Sequence, residues 1–373
     1  MSTVSVVTCR SYEPAALDQA LRSALEPLGG IGGFVRPGMK VLLKPNLLAP
    51  LSPERGVDTH PALVSAVARL VRQAGGEVLV GDSPGGPADI APQVWRESGL
   101  GAIAEAEGIP LVPFDSGVWR QHNGHGYLIA RPVLEADLII NLPKLKTHSF
   151  VLYTGAIKNL FGAIPGTRKR ELHLRAPGVE EFSHVLVDVL ALARPGLSIV
   201  DGILGLEGNG PGASGRPRAY NCLLASADPV AVDAVCAHAL GFGPGRVRHI
   251  QLAAARGLGT AALEHIRVVG EPRALEFGHV RLPAARWLFR VPPPGITRPL
   301  DSLLRAKPRF IAGACVGCGS CVQACPVGAL EAGRPPRLSR ATCVGCLCCA
   351  EICPHAAIEP QRSLLARLAG LGR

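Results

Sequence analysis

Along the first 270 residues, short runs of Val, Leu and Ile alternate with longer segments in which apolar residues recur every three or four positions. The runs VSVVT near Val4, KVLLKPN from Lys40, EVLVGDSP from Glu77, IPLVPFD from Ile109, ADLIINLP from Ala136, LSIVDG from Leu197, NCLLAS from Asn221 and IRVVG from Ile266 predict strands. The segments EPAALDQALRSALEPLG, HPALVSAVARLVRQAGG, EEFSHVLVDVLALA and PVAVDAVCAHALG predict amphipathic helices that close at Gly or Pro. Continuous apolar strands separated by helices imply a largely parallel sheet covered on both faces. Residues 1–270 therefore read as a Rossmann-like α/β domain. Within it, Asp228 followed by Pro229 suits a helix cap and first turn.

In such sheets, ligands sit beyond the carboxyl ends of the strands. Polar motifs fall there: KPN (Lys44, Pro45, Asn46), GDSPGG from Gly81, NLPKLKTH from Asn141 and DGILGLEGNGPGASG from Asp201. Between Lys144 and Arg175 the chain carries seven Lys and Arg against one acid, Glu171. Positive charge of that density at a strand end favours an anionic ligand. RKRELHLR can equally be a solvated face, whereas Lys144, Lys146, His148 and Lys158 are set among apolar residues and glycines. TGAIKNLFG predicts a helix starting near Thr154 and Gly155, whose amides would face the same anion. The glycine loop GNGPGASG contains Asn209 but lacks GxxxxGK[ST], and no GxGxxG follows the first strand, so neither ATP nor NAD is expected. Asp82 can orient a cation, accept a proton or stabilise its own turn. The expected site has His148 as proton donor with Lys146 beside it, and Lys44, Asn46, Asp82, Lys144, Lys158 and Asn209 as substrate contacts.

Residues 271–312 read as a linker rich in Pro and Arg, with RVPPPGITRPL and RAKPRF. Beyond it the cysteines crowd. Of the 12 in the chain, all but Cys9, Cys222 and Cys236 lie between Cys315 and Cys353, and those three fall in apolar contexts expected of core residues. Residues 315–326 read CVGCGSCVQACP and residues 343–354 read CVGCLCCAEICP. Each is C-x2-C-x2-C-x3-C-P, in which three thiolates hold one cubane and the fourth reaches the other cluster. Cys315, Cys318, Cys321 and Cys353 are thus expected on one [4Fe–4S] cluster, and Cys325, Cys343, Cys346 and Cys349 on a second. Paired CxxC motifs also build zinc sites, but zinc does not account for a third and fourth cysteine duplicated in both halves. Cys348 is an extra thiol. Residues 313–358 resemble the bacterial two-cluster ferredoxin domain, which implies a small α+β module passing single electrons, and 359–373 form a tail.

Composition narrows the partners. Hydrophobic residues at 47% against 18% charged mark a folded, well-buried chain. The net charge of +10 permits phosphate contacts, yet only 4% aromatics argues against recognition of nucleic acid by base stacking. The N-terminus lacks a secretory signal pattern and no apolar run approaches a membrane span, so a cytoplasmic protein with no membrane partner is expected.

KPN, GDSPGG, NLPKLKTH with TGAIKNLFGAIPG, DGILGLEGNGP and ADPVAVDAV, in that order over residues 4–270, are similar to the domain of unknown function 362 family. That resemblance implies an iron–sulfur protein of undefined reaction, often fused to such a ferredoxin tail. The expected function is a reductase in which two [4Fe–4S] clusters, supplied by a redox partner protein, deliver electrons to an anionic small molecule in the basic cleft. The alternatives are an electron-transfer or scaffold subunit without an active site, and a non-redox enzyme that the ferredoxin module stabilises.

Overall fold

The computed structural model of the chain describes residues 1–85, 90–166, 168–243, 245–283 and 306–361. The middle of the Pro- and Arg-rich linker, most of the C-terminal tail and Gly86 of GDSPGG lie outside the described residues.

The first β-branched run forms β1 (Ser2–Thr8), and the first amphipathic stretch forms α1 (Pro14–Leu25), opened by a proline at its first turn. Then follow β2 (Lys40–Pro45), α2 (Pro61–Gln73), β3 (Glu77–Val80), α3 (Ala91–Glu97) and α4 (Leu100–Ala106). A hairpin comes next, β4 (Gly117–His122) and β5 (His125–Ala130), with α5 (Arg131–Glu135) after it. The chain re-enters the sheet as β6 (Leu138–Leu142), β7 (Lys144–His148) and β8 (Leu152–Thr154). Helices α6 (Ala156–Asn159), α7 (Arg168–Arg175) and α8 (Val179–Ala193) precede the long pair β9 (Leu197–Gly208) and β10 (Gly215–Ser226). The domain closes with α9 (Pro229–Ala239), α10 (Arg248–Ala255) and β11 (Ile266–Gly270).

The main path of the sheet runs β11-β1-β10-β9-β6-β2-β3, with β7 and β8 joined beside β9. The β1–β11, β2–β3, β2–β6 and β6–β9 pairs are parallel, and β10 alone on this path runs against its neighbours β1 and β9. The fold is α/β with a mostly parallel sheet, as its apolar runs imply. Successive residues of each strand serve opposite faces. Leu42, Val200 and Leu224 join the core under α8, α9 and α10, while their neighbours Val41, Ile199 and Leu223 join the core under α1 and α2. Asp228 caps α9, accepting from the amides of Val230 and Ala231 at 2.9 Å each, with Pro229 in the first turn.

Three expectations change. The run from Ile109 makes only a single bridge, Leu111 to Val80, rather than a strand. Asp201 lies inside β9, not after it. The amides opening α6 are taken up by Asp233 of α9, which accepts from Ala156 and Ile157 at 2.6 and 2.8 Å, so they do not face a ligand.

The C-terminal module is small and α+β. Two short antiparallel pairs, β12 (Lys307–Phe310) with β15 (Ile358–Gln361) and β13 (Leu330–Glu331) with β14 (Arg337–Leu338), flank the cysteine turns. One-turn helices, Ser320–Gln323 and Cys348–Ile352, follow the ligating loops in matching places.

Candidate functional site at the join of the two domains

The carboxyl ends of β2, β3 and β6 gather the polar motifs into a buried network. Lys44 is paired with Asp82 at 2.8 Å, both side chains 1% exposed. Asp82 also accepts from the amides of Leu47 and Ser83, so its turn and its charge are held together. Lys144 is paired with Asp201 at 2.8 Å with both side chains fully buried, and Tyr12 donates to the same carboxylate at 2.7 Å. Burial pushes both ammonium groups below the usual lysine range, and the facing carboxylates push back. These two lysines are committed to internal partners.

Lys146 donates to Asn46 Oδ1 at 2.5 Å and to the carbonyl of Val57 at 2.7 Å. Its charge is coupled to Asp58, whose Oδ1 accepts from Leu48 while Oδ2 has no partner among the described residues. Burial drives the Lys146 ammonium down and the Asp58 carboxyl up, and their mutual attraction opposes both.

His148 is fully buried. Its Nδ1 accepts from the Phe150 amide at 3.0 Å, which assigns the proton to Nε2. Nε2 lies 3.3 Å from Glu351 Oε1 of the C-terminal module without the alignment of a hydrogen bond. Burial, reinforced by Lys158 and Lys146, holds this imidazole neutral, well below the ordinary histidine range.

Between the domains lies a cavity of about 100 Å³. Asn46 and Asp82 line it on the strand side; Lys158, Lys169 and His173 come from α6 and α7; Cys348 and Glu351 close it from the C-terminal module. Lys44, Lys144, Lys146, His148 and Asn209 are not among its lining residues. Lys169 donates to the carbonyls of Ser83 and Pro84, and burial takes it down to about 7. Lys158 differs. Among the described residues no carboxylate or carbonyl accepts from its Nζ, and its nearest specific contact is the Phe161 ring at 5.9 Å. A wider open groove of about 740 Å³ runs by Arg10, Arg218 and Arg273 at the β11 edge, and none of the sequence-derived site residues lines it.

The module is seated on the large domain by several contacts. Arg170 donates to the Cys325 carbonyl at 2.9 Å, and Ser214 donates to the Ile358 carbonyl at 3.0 Å. Ala49 packs against Ala324 and Ile352. Gly212 is where the Glu351 backbone approaches so closely that any Cβ would collide with its carbonyl.

The cysteine turns fit iron–sulfur clusters. Cys315, Cys318, Cys321 and Cys353 ring a small gap. Cys343 feels the charges of Cys346 and Cys325, and Cys349 those of Cys346, Cys343, Cys325 and also Cys321. The Ala329 amide donates to the Cys325 sulfur at 3.2 Å, a contact that suits a cluster thiolate. Among the described residues no three Cys, His, Asp or Glu side chains meet as a single-ion site. Cys348 lies on the cavity wall, between Cys346 and Cys349 in sequence.

Residues 41–238 match the family described as Domain of unknown function (DUF362). The chain belongs to the DUF362 family. Residues 308–331 match the 4Fe-4S binding domain, so this DUF362 protein carries an iron–sulfur module of the ferredoxin kind. It is 39% identical over 286 residues to a thylakoid-associated protein of Synechocystis sp., covering 76% of this chain and 88% of that one. It is also similar to the lactate racemase apoprotein of Thermoanaerobacterium thermosaccharolyticum, with a TM-score of 0.39 and 14% identity, over 65% of this chain and 57% of that chain. Among the described residues of the DUF362 protein no helix is long and apolar enough to cross a membrane.

Sequence reasoning did not single out Glu351; it noted His173 only as a protonatable nitrogen of RKRELHLR, and it left Lys169 and Arg170 as possible surface. Nor did it mark His249 of α10, fully buried, with both ring nitrogens unpartnered among the described residues. Burial, with Lys158 adding, holds His249 down to about 3. The unfolded chain therefore takes up this proton near 6.5 while the folded chain does not, so stability is full above pH 6.5 and falls as pH drops toward 3. His249→Leu should remove about 1.4 kcal/mol of the stability lost between about pH 7.5 and about pH 5.5, read from urea midpoints. An unchanged slope would show that His249 is satisfied in solution.

Proposed function

We propose that this chain is a cytoplasmic iron–sulfur oxidoreductase whose α/β domain holds a small anionic substrate in the cavity beneath the second cysteine motif. Lys158 carries the reading: a half-buried cation with no hydrogen bond or ion pair among the described residues, lining a cavity whose opposite wall comes from the turn bearing Cys346 and Cys349. Two [4Fe–4S] clusters, held by Cys315, Cys318, Cys321 and Cys353 and by Cys325, Cys343, Cys346 and Cys349, would supply single electrons when bound. The chain's other residues bind and orient. Lys158 takes the substrate's charge, and Lys169 and Arg170 keep the mouth positive. The Lys44–Asp82 and Lys144–Asp201 pairs stiffen the floor, and Lys146 holds Asn46 at the wall. His148, neutral and protonated on Nε2, sits behind Glu351 as the proton-bearing group of the set. The electron source is a separate redox protein, and the net charge of +10 favours one with an acidic surface.

Anaerobic reconstitution should give about eight iron and eight sulfide per chain. After reduction with dithionite, small anionic acceptors should restore the visible absorbance, and Lys158→Ala should weaken their effect on the order of 10- to 100-fold, the worth of one hydrogen bond to a charge. Reoxidation that ignores Lys158→Ala but is fast with an acceptor protein would instead make the chain an electron-transfer subunit.

A further inference from the structure

Resting on that anion site, the unpartnered atoms around the cavity narrow the ligand's chemistry. Asn159 lines the cavity and is 5% exposed. Its Nδ2 donates to the carbonyls of Lys44 and Pro45 at 3.2 and 3.3 Å and to Asn141 Oδ1 at 2.8 Å, and three acceptors around one nitrogen fix which way the amide points. The other end, Oδ1, is buried and has no donor among the described residues. Glu351 Oε1 on the facing wall is also buried and makes no hydrogen bond among the described residues, although His148 Nε2 stands 3.3 Å from it. Beside them stands Lys158, the cavity-lining cation with no hydrogen bond or ion pair among the described residues, whose charge also bears on Glu351. His173, 5% exposed and stacked on Phe182 with ring centroids 4.3 Å apart, presents an Nδ1 that is likewise unpartnered.

Buried polar atoms left open in this way cost stability unless something fills them. A bare oxoanion such as sulfate satisfies Lys158 but places only more acceptors against Asn159 and Glu351. A neutral alcohol satisfies the acceptors and leaves the cation unpaired. We propose that the cavity takes a small carboxylate carrying its own hydrogen-bond donor on the neighbouring carbon, a hydroxy or amino acid: the carboxylate on Lys158, the O–H or N–H on Asn159 Oδ1 and Glu351. Size agrees. About 100 Å³ of room admits some seven to ten water-sized atoms, enough for such an acid and too little for a nucleotide.

The test is calorimetric titration of the reconstituted full chain, under anaerobic conditions, with acetate, propionate, glycolate, glycine and sulfate. Propionate matches glycolate in size and charge and lacks its donor, glycine adds an ammonium donor, and sulfate carries charge with no donor. Glycolate or glycine should bind at least about tenfold tighter than acetate and propionate, because the latter leave the open acceptors unmet. Lys158→Ala should weaken binding of the whole set on the order of 10- to 100-fold. Glycine ahead of glycolate assigns the donor to an ammonium facing Glu351; the reverse order assigns it to a hydroxyl on Asn159. Equal affinity across the carboxylates, or sulfate tightest, overturns this inference while leaving an anion site in place. No binding of any probe to the unaltered protein overturns the anion site as well.

Discussion

Asp201→Ala is expected to destabilise the chain by roughly 3–5 kcal/mol, because removing one partner leaves the other charge buried and unpaired. Lys144 and Asp201 are both fully buried at 2.8 Å, and the carboxylate also accepts from Tyr12 and from the His60 amide. Three donors would lose their acceptor at once. Replacing the pair together, Lys144→Met with Asp201→Leu, should recover the part of the loss due to the stranded lysine, while the Tyr12 hydroxyl and the His60 amide still lack their acceptor. Chemical denaturation of the two variants beside the unaltered chain measures this directly. A single-variant loss below about 1 kcal/mol would mean that water reaches the pair in solution.

Cys353→Ala is expected to remove the cluster of the first motif, although Cys353 belongs to the second. The gap in the module is ringed by Cys315, Cys318, Cys321 and Cys353, and Cys321 feels Cys353 as its strongest thiol neighbour. Iron should fall from about eight to about four per chain, and Cys318→Ala should give the same remaining spectrum. Cys325→Ala should leave the complementary one. If Cys353→Ala and Cys346→Ala instead left identical spectra, the crossed assignment would be wrong.

Much of the large domain was legible because its strands are apolar on both faces and its helices carry a clear stripe. What escaped has particular causes. β7 is written KLKTH, whose lysines and histidine look like a loop, yet all five residues are buried because their charges find partners inside. The run from Ile109 has strand composition but borders β3 at only one residue. The hairpin of β4 and β5 turns at Asn123 and Gly124, both with positive φ, and the dipeptide NG was a readable signal for it. Charge density drew attention to residues 144–175, but sequence alone cannot say which lysines are already paired. Lys44 and Lys144 are; Lys158 stands apart. Glu351 was invisible for another reason: it lies within a cysteine motif whose spacing explains itself, and only the docking of the module brings it against His148.

The glycine at 212 has a consequence for descent. With the Glu351 backbone resting where a side chain would be, and Arg170 holding the Cys325 carbonyl, the turn that presents the cysteines also completes the cavity. The two parts of the chain cannot then drift or be exchanged independently. A change at 351 must be answered at 148, and a larger residue at 212 would part the two halves, so a chimera joining this large domain to a foreign ferredoxin would inherit clusters and lose the chamber.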